Sequence, residues 1–212
     1  YSLFMMDANG TNHKRITPAN ENVVGKASWS PDGNTIAYVE RDTTYEFSRG
    51  RIKLINPDGT NPRIITDWIN ELNAVSWSPT SSALVFAGFK SDGKARIYRV
   101  NSDGSNLAPL NIGDNCYHPS FSPDGKMIAY SFISDQFSHI FVYDFAGQKT
   151  TQVSKEDRFD YSPSWSFDGK YIIYASSPIG AKTSAIKRIK YDGTEPSFVT
   201  DDSNFDYNPA WY

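Results

Sequence analysis

The stretch Pro119-Ser-Phe-Ser-Pro-Asp-Gly-Lys-Met-Ile-Ala-Tyr130 decides the fold, because the chain repeats it. Ala27-Ser-Trp-Ser-Pro-Asp-Gly-Asn-Thr-Ile-Ala-Tyr38 and Pro163-Ser-Trp-Ser-Phe-Asp-Gly-Lys-Tyr-Ile-Ile-Tyr174 are close copies. Val75-Ser-Trp-Ser-Pro-Thr-Ser-Ser-Ala-Leu-Val-Phe86 is a looser copy, and Pro209-Ala-Trp-Tyr212 a shortened one. The anchoring aromatics Trp29, Trp77, Phe121, Trp165 and Trp211 are 48, 44, 44 and 46 residues apart. A fixed period of this size marks a repeat architecture.

A second signature lies between these copies: short alternating runs such as Lys53-Leu-Ile-Asn-Pro-Asp-Gly59 and Ile97-Tyr-Arg-Val-Asn-Ser-Asp-Gly104, each stopped by Gly. Each repeat therefore reads as four short strands, a to d. Strand a ends at the aromatic. In the Ser-Pro-Asp-Gly turn that follows, Ser bonds locally, Pro presets φ and Gly accepts positive φ. No helix-period stretch competes; residues 66–73 are at most one turn. Four strands per repeat read as a blade of a β-propeller, with the strand-a aromatics filling the space between blades.

The expected fold is all-β: one β-propeller domain over 1–212, of four-stranded antiparallel blades. Blades fall at about 22–66, 71–110, 115–154 and 159–200. Residues 1–17 supply strands c and d of a closing blade, and 206–212 its strand a. Strand b of that fifth blade is missing. Either the chain is an excerpt of a longer one, with five or six blades in the whole, or a partner supplies the strand to two open sheet edges.

Composition bounds the rest. The 212 residues carry 21 Lys+Arg against 24 Asp+Glu, net charge -3, which argues against general nucleic-acid binding. Cys116 is the single cysteine, so no internal disulfide forms. No apolar run approaches the roughly 20 residues of a membrane span, and no basic-then-apolar signal-peptide pattern is legible in these residues, which open at Tyr1 and not Met, so the natural start is expected to lie outside them.

The Ser-Pro-Asp-Gly-x-x-Ile-Ala-Tyr pattern with its Asp-Gly partner resembles the TolB-like (PD40) propeller repeat, a distant cousin of WD40-like repeats, over essentially the whole chain. That family includes TolB, the propeller domains of prolyl-oligopeptidase-like peptidases and oligogalacturonate lyases. The resemblance implies a bacterial, extracytoplasmic setting, in the periplasm or at the cell surface. It fixes a fold and leaves function open.

No catalytic constellation is legible. There is no Gly-x-Ser-x-Gly elbow, so a peptidase resemblance covers only a propeller. His13, His118 and His139 occupy unlike repeat phases, which argues against a metal site. Cys116 reads as a small buried apolar residue. Asp32, Asp58, Asp103, Asp124, Asp168 and Asp192 read as bonding their own turns. No catalytic residue, metal or cofactor is expected.

Repeat phase says where a ligand goes. The a–b and c–d turns share one end of the strands; the longer b–c and d–a loops share the other. The d–a loops (18–25, 67–73, 111–117, 155–161 and 201–207) hold ten acids: Glu21, Asp67, Glu71, Asp114, Glu156, Asp157, Asp160, Asp201, Asp202 and Asp206. Their only bases are Lys155 and Arg158. These are either solvated loops or an acidic face for a basic partner. Lys26, Ala74, His118, Ser162 and Asn208 are equivalent positions just before the motif, beside Tyr117, Tyr161 and Tyr207. They are a docking ring for a peptide or the lining of a wet channel. Trp68, Phe159 and Phe205 are interface anchors or packing under their own loops.

The binding set is thus Lys26, His118, Ser162, Asn208, Tyr117, Tyr161, Tyr207, Asp160 and Asp206. The expected function is a non-enzymatic scaffold for a protein or peptide partner. The alternatives are the gating propeller of a larger peptidase and a structural subunit of an extracytoplasmic assembly.

Overall fold

The computed structural model describes residues 1–44, 49–70, 72, 75–89 and 92–211. Every regular element among them is a strand. β1 (Phe4–Met5) and β2 (Lys14–Arg15) form a hairpin. The first repeat follows as β3 (Val23–Trp29), β4 (Ile36–Arg41), β5 (Arg49–Ile55) and β6 (Arg63–Ile64). A short β7 (Ile69–Asn70) precedes the second: β8 (Val75–Trp77), β9 (Ala83–Phe89), β10 (Ala95–Asn101) and β11 (Ala108–Pro109). The third is β12 (Cys116–Phe121), β13 (Met127–Ile133), β14 (Ser138–Asp144) and β15 (Lys149–Gln152). The fourth is β16 (Arg158–Trp165), β17 (Tyr171–Pro178), β18 (Ala185–Lys190) and β19 (Ser197–Phe198). β7 lies where at most one helical turn was expected; it pairs with β5 and β9.

The turns form as their chemistry dictates. Gly33, Gly125 and Gly169 each donate N–H to the carbonyl of the turn's Ser, at 2.9 Å. The Ser30, Ser122 and Ser166 hydroxyls donate to Asp32, Asp124 and Asp168 (2.5–2.6 Å), and each Asp accepts the N–H two residues on. Those bonds hold each carboxyl below the ordinary Asp value. The c–d turn glycines add a close approach. A Cβ on Gly59, Gly104 or Gly193 would sit 3.0–3.1 Å from the carbonyl oxygen of Ile16, Ile65 or Val153, and all three glycines have positive φ.

The chain divides into two compact units: Tyr1–Lys94 with Tyr98–Pro109, and Ala95–Ile97 with the residues from Leu110 on. In the first, Leu54, Ile65, Trp77, Leu84 and Phe86 belong to one core; Ile16, Tyr38 and Ile55 belong to a second. In the second unit, Val142, Val153, Trp165, Ile172 and Tyr174 fill the core.

The expectation that every strand-a aromatic is filling needs correction. Trp77 and Trp165 are buried, at 7% and 5% exposure, but Trp29 is 47% exposed. Trp77 donates its indole N–H to the carbonyl of Ser28, and Trp165 to that of Ser120, at 3.0 and 3.1 Å. Each acceptor immediately precedes the aromatic one repeat back. Trp29 has no earlier copy of the motif in this sequence to lie on.

Residues 206–211 are not a strand, although strand a was expected over 206–212; Tyr212 lies outside the described residues. They still dock on the fourth repeat. Phe205 bridges Ser184 in parallel, the Asp206 N–H donates to the Ser184 carbonyl at 3.1 Å, and the Ser184 hydroxyl donates to the Asp206 carbonyl. β16 docks on the third repeat the same way: Ser138 pairs with Phe159 in parallel, and its hydroxyl donates to the Asp160 carbonyl at 2.5 Å.

Candidate functional site

The loop end of strand a is built around a bulge. In β12 two residues, His118 and Pro119, lie between the pairs Tyr117↔Ser131 and Ser120↔Ala129, opposite the single Tyr130. In β16, Ser162 and Pro163 stand opposite Tyr174. In β3 the bulge spans 25–27, opposite Tyr38. A two-against-one count kinks the strand and re-aims its side chains. His118, Ser162 and Asn208 have φ of 50°, 55° and 51°. Non-glycine residues with positive φ are uncommon, and such strain gathers at functional sites. All three sit in the same sequence setting, between Tyr and Pro: Tyr117-His118-Pro119, Tyr161-Ser162-Pro163 and Tyr207-Asn208-Pro209.

These side chains differ in access. His118 and Asn208 are exposed; Ser162 is buried, and its hydroxyl donates to Asn208 Oδ1 at 2.9 Å. Tyr117 and Tyr161 are half-buried, and the Tyr117 and His118 rings lie 6.2 Å apart. Tyr207 is 61% exposed and pairs with exposed Phe205 at 5.6 Å. Lys26 is exposed and belongs to the first unit. Ala74 and Glu71 lie outside the described residues. Asp206 accepts from the Thr200 hydroxyl at 2.6 Å.

Asp160 does not face the loop surface. It is 1% exposed, and Ser176 donates to its Oδ1 at 2.6 Å. Burial pushes its pKa above the ordinary carboxylate value, against the pull of Ser154, Ser176, Lys187 and His139.

The count of ten acids against two bases overstates the negative charge of this face. Strand c supplies three cations that the loops alone do not reveal. Lys53 pairs with Glu21 and lies 3.6 Å from Glu40. Arg96 meets Asp114 at 2.5 Å, and Lys187 meets Glu156 at 2.6 Å. Arg158 takes Asp202 at 2.6 Å. Tyr38 donates to Glu21 at 2.7 Å, which fixes that carboxylate under its loop. Asp67, Asp157, Asp201 and Asp206 make no ion pair among the described residues. The missed signal was the matched placement of Lys53 and Lys187, each opposite a motif tyrosine, Tyr38 and Tyr174.

Trp68 is half-buried, with the Arg51 and Arg49 guanidinium groups 4.5 and 5.5 Å from its ring centre. Phe159 is half-buried, while Phe205 is 59% exposed. Cys116 is 1% exposed, and burial beside Asp114 pushes its thiol up to about 12. His13 Nε2 lies 2.8 Å from the Gly10 carbonyl, and His139 is buried against the Phe137 ring at 4.7 Å. Among the described residues, no group of three His, Cys, Asp or Glu is placed to hold a metal ion. Nor is any helix long and apolar enough to cross a membrane.

Four-stranded antiparallel repeats, with strand a of one tied to strand a of its predecessor within each unit, define a β-propeller protein. The profile of the TolB beta propeller domain (PD40) matches residues 1–212, and the chain belongs to that family. The fold is similar to that of TolB from Acinetobacter baumannii, with a TM-score of 0.79 at 21% identity, over 96% of this chain and 50% of that one. An uncharacterised protein of Agrobacterium fabrum is 28% identical over 178 residues, which is 83% of this chain and 58% of the relative. Dipeptidyl-peptidase 5 of Aspergillus fumigatus is 30% identical over 111 residues, 50% of this chain and 14% of the peptidase. The chain thus spans little more than half the length of the first relative and a small part of the second.

Proposed function

We propose that the chain is a binding module that holds a protein or peptide partner at the loop end of its strands. One observation carries this reading: His118, Ser162 and Asn208 repeat a strained, polar backbone position between Tyr and Pro. The first repeat also has positive φ in its bulge, at Gly25 (φ 67°), one position earlier, so the backbone turn recurs while the polar side chains are particular to the later repeats. The flanking Tyr117, Tyr161 and Tyr207 offer rings and hydroxyls beside those polar groups, the mixture that recurs at recognition surfaces. The unpaired Asp157, Asp201 and Asp206 leave a modest preference for a basic partner. Membership of the TolB propeller family supports protein partners and an extracytoplasmic setting, and no catalytic role is assigned to this chain.

The test replaces His118, Ser162 and Asn208 by glycine together. Glycine keeps the positive φ and removes the side chains. Peptides selected by display against the parent chain should lose binding to this variant while its melting temperature holds. Unchanged binding overturns the reading.

The likeness to a dipeptidyl-peptidase favours a second reading, in which this propeller selects substrates for a peptidase domain. A fluorophosphonate probe that labels a larger native form of this protein supports it; a native protein that never labels refutes it.

A further inference from the structure

The opposite end of the strands in the second unit carries a cleft that the loop-end reading does not use. It has a volume of about 460 Å³ and lies between the a–b turns of the third and fourth repeats. Pro123, Met127, Phe167 and Tyr191 give it apolar walls; Asp124 and Asp168 flank it. An adjoining cleft of about 260 Å³ shares Met127 and Tyr191 and adds Asp144, Asp192 and Lys149. The first cleft alone lies within the range of about 300–1,000 Å³ usual for ligand sites.

Phe167 singles this place out. The turns at 30–33 and 122–125 hold proline at this position, which presets φ. The fourth repeat puts an aromatic ring there and leaves it 88% exposed. Nothing in the turn requires it, because Gly169 still donates to the Ser166 carbonyl at 2.9 Å. Tyr191, 43% exposed, backs onto Trp165 at 6.3 Å, so the second ring is held from behind.

The charges point to the occupant. Four carboxylates line the two clefts (Asp124, Asp144, Asp168 and Asp192) against two ammonium groups, Lys149 and Lys170. Asp124 and Asp168 spend Oδ1 on their turns. Their Oδ2 atoms face Lys126 and Lys170 at 3.9 and 3.6 Å, and both lysines are more than 70% exposed. Contacts so long and so exposed hold little, and a better donor displaces them. Aromatic faces attract cations, and a guanidinium also bonds a carboxylate with two parallel N–H groups.

We propose that this cleft receives an arginine side chain of a peptide or protein partner, its guanidinium on the Phe167 ring and hydrogen-bonded to Asp124 or Asp168. The site is independent of the loop-end site, so one propeller takes two partners or two parts of one.

The test is an NMR titration of the chain with Ac-Ala-Arg-Ala-NH2, with Ac-Ala-Glu-Ala-NH2 as control. The arginine peptide should shift amide signals of Asp124, Asp168, Lys170 and Tyr191 and leave those of His118 and Ser162 in place. F167P restores the residue of the sister turns and so should fold; it should weaken binding about tenfold. D124N/D168N keeps the Oδ1 acceptors and should weaken it as much. No shifts at about 10 mM arginine peptide, equal shifts from the glutamate peptide, or unchanged binding by F167P each overturn the proposal. Concentration-dependent self-association abolished by F167P also overturns it, since the occupant is then a second copy of this chain.

Discussion

The indole of Trp165 donates its N–H to the carbonyl of Ser120, 45 residues earlier and one repeat back, at 3.1 Å. Trp77 does the same to Ser28. Within each unit this bond ties the innermost strand of one repeat to that of its predecessor. It also satisfies a polar atom that burial of so large a ring would otherwise orphan.

Trp165→Ala should therefore destabilise the chain by about 3–5 kcal/mol, the range for removing a buried aromatic. Trp165→Phe keeps most of the apolar area and loses the bond, for about 1 kcal/mol. Trp29→Ala, at a half-exposed ring, should stay below about 1 kcal/mol. Urea denaturation of the three variants checks the order; a Trp29 effect equal to that of Trp165 contradicts it.

The Lys53–Glu21 pair is enclosed, with side-chain exposures of 9% and 7%. Glu21→Ala leaves the buried Lys53 ammonium only the longer Glu40 contact at 3.6 Å, strands the Tyr38 hydroxyl and should cost about 3 kcal/mol. Glu21→Ala combined with Lys53→Met removes both charges and should return to within about 1 kcal/mol of the parent. A double variant no more stable than Glu21→Ala shows that the pair carries no coupling.

Asp160 gives a pH signature. Its folded pKa lies above the unfolded one, so folding favours the protonated form. The stability this group contributes is present below the unfolded value and is lost as pH rises through the raised folded value. Asp160→Asn cannot ionise and escapes that loss. The stability of the variant relative to the parent should grow between pH 3 and pH 7, as measured by denaturant melts; a pH-independent difference rules this out.

The Cys116 thiol, held up near pKa 12 in a buried site, has almost no thiolate at pH 8. A disulfide reagent should label it in the native chain far more slowly than in urea. Equal rates contradict its burial.

The turns were legible because their chemistry is local: Ser, Pro, Asp and Gly meet their partners within five residues. The strand-a tryptophans were legible as a periodic set, but the burial of each depends on a copy of the motif one repeat earlier. Trp29, the first of the set in these residues, is half-exposed where Trp77 and Trp165 are buried. The loop charges were misread because Glu21 and Lys53 are 32 residues apart, and Glu156 and Lys187 are 31 apart. A count within the loops misses ions that rise from strand c. The strained backbone at His118, Ser162 and Asn208 had a visible sign in the repeated Tyr-x-Pro triplet, whose sense emerges only when the bulge opposite Tyr130 or Tyr174 is seen.

That bulge governs parity. Asp160 and Trp165 are five residues apart, and in an unbroken strand an odd interval sends two side chains to opposite faces. Both nevertheless turn to the third repeat, Asp160 towards Ser154 and His139 and Trp165 onto Ser120. The extra residue at Ser162–Pro163 makes this possible. Straightening β16 with all its residues kept would restore the odd interval and set its two halves at odds: with the tryptophan seated, the polar patch around Asp160 would point at the wrong neighbour. The extra residue thus sets which face of β16 each side chain beyond it takes relative to those before it.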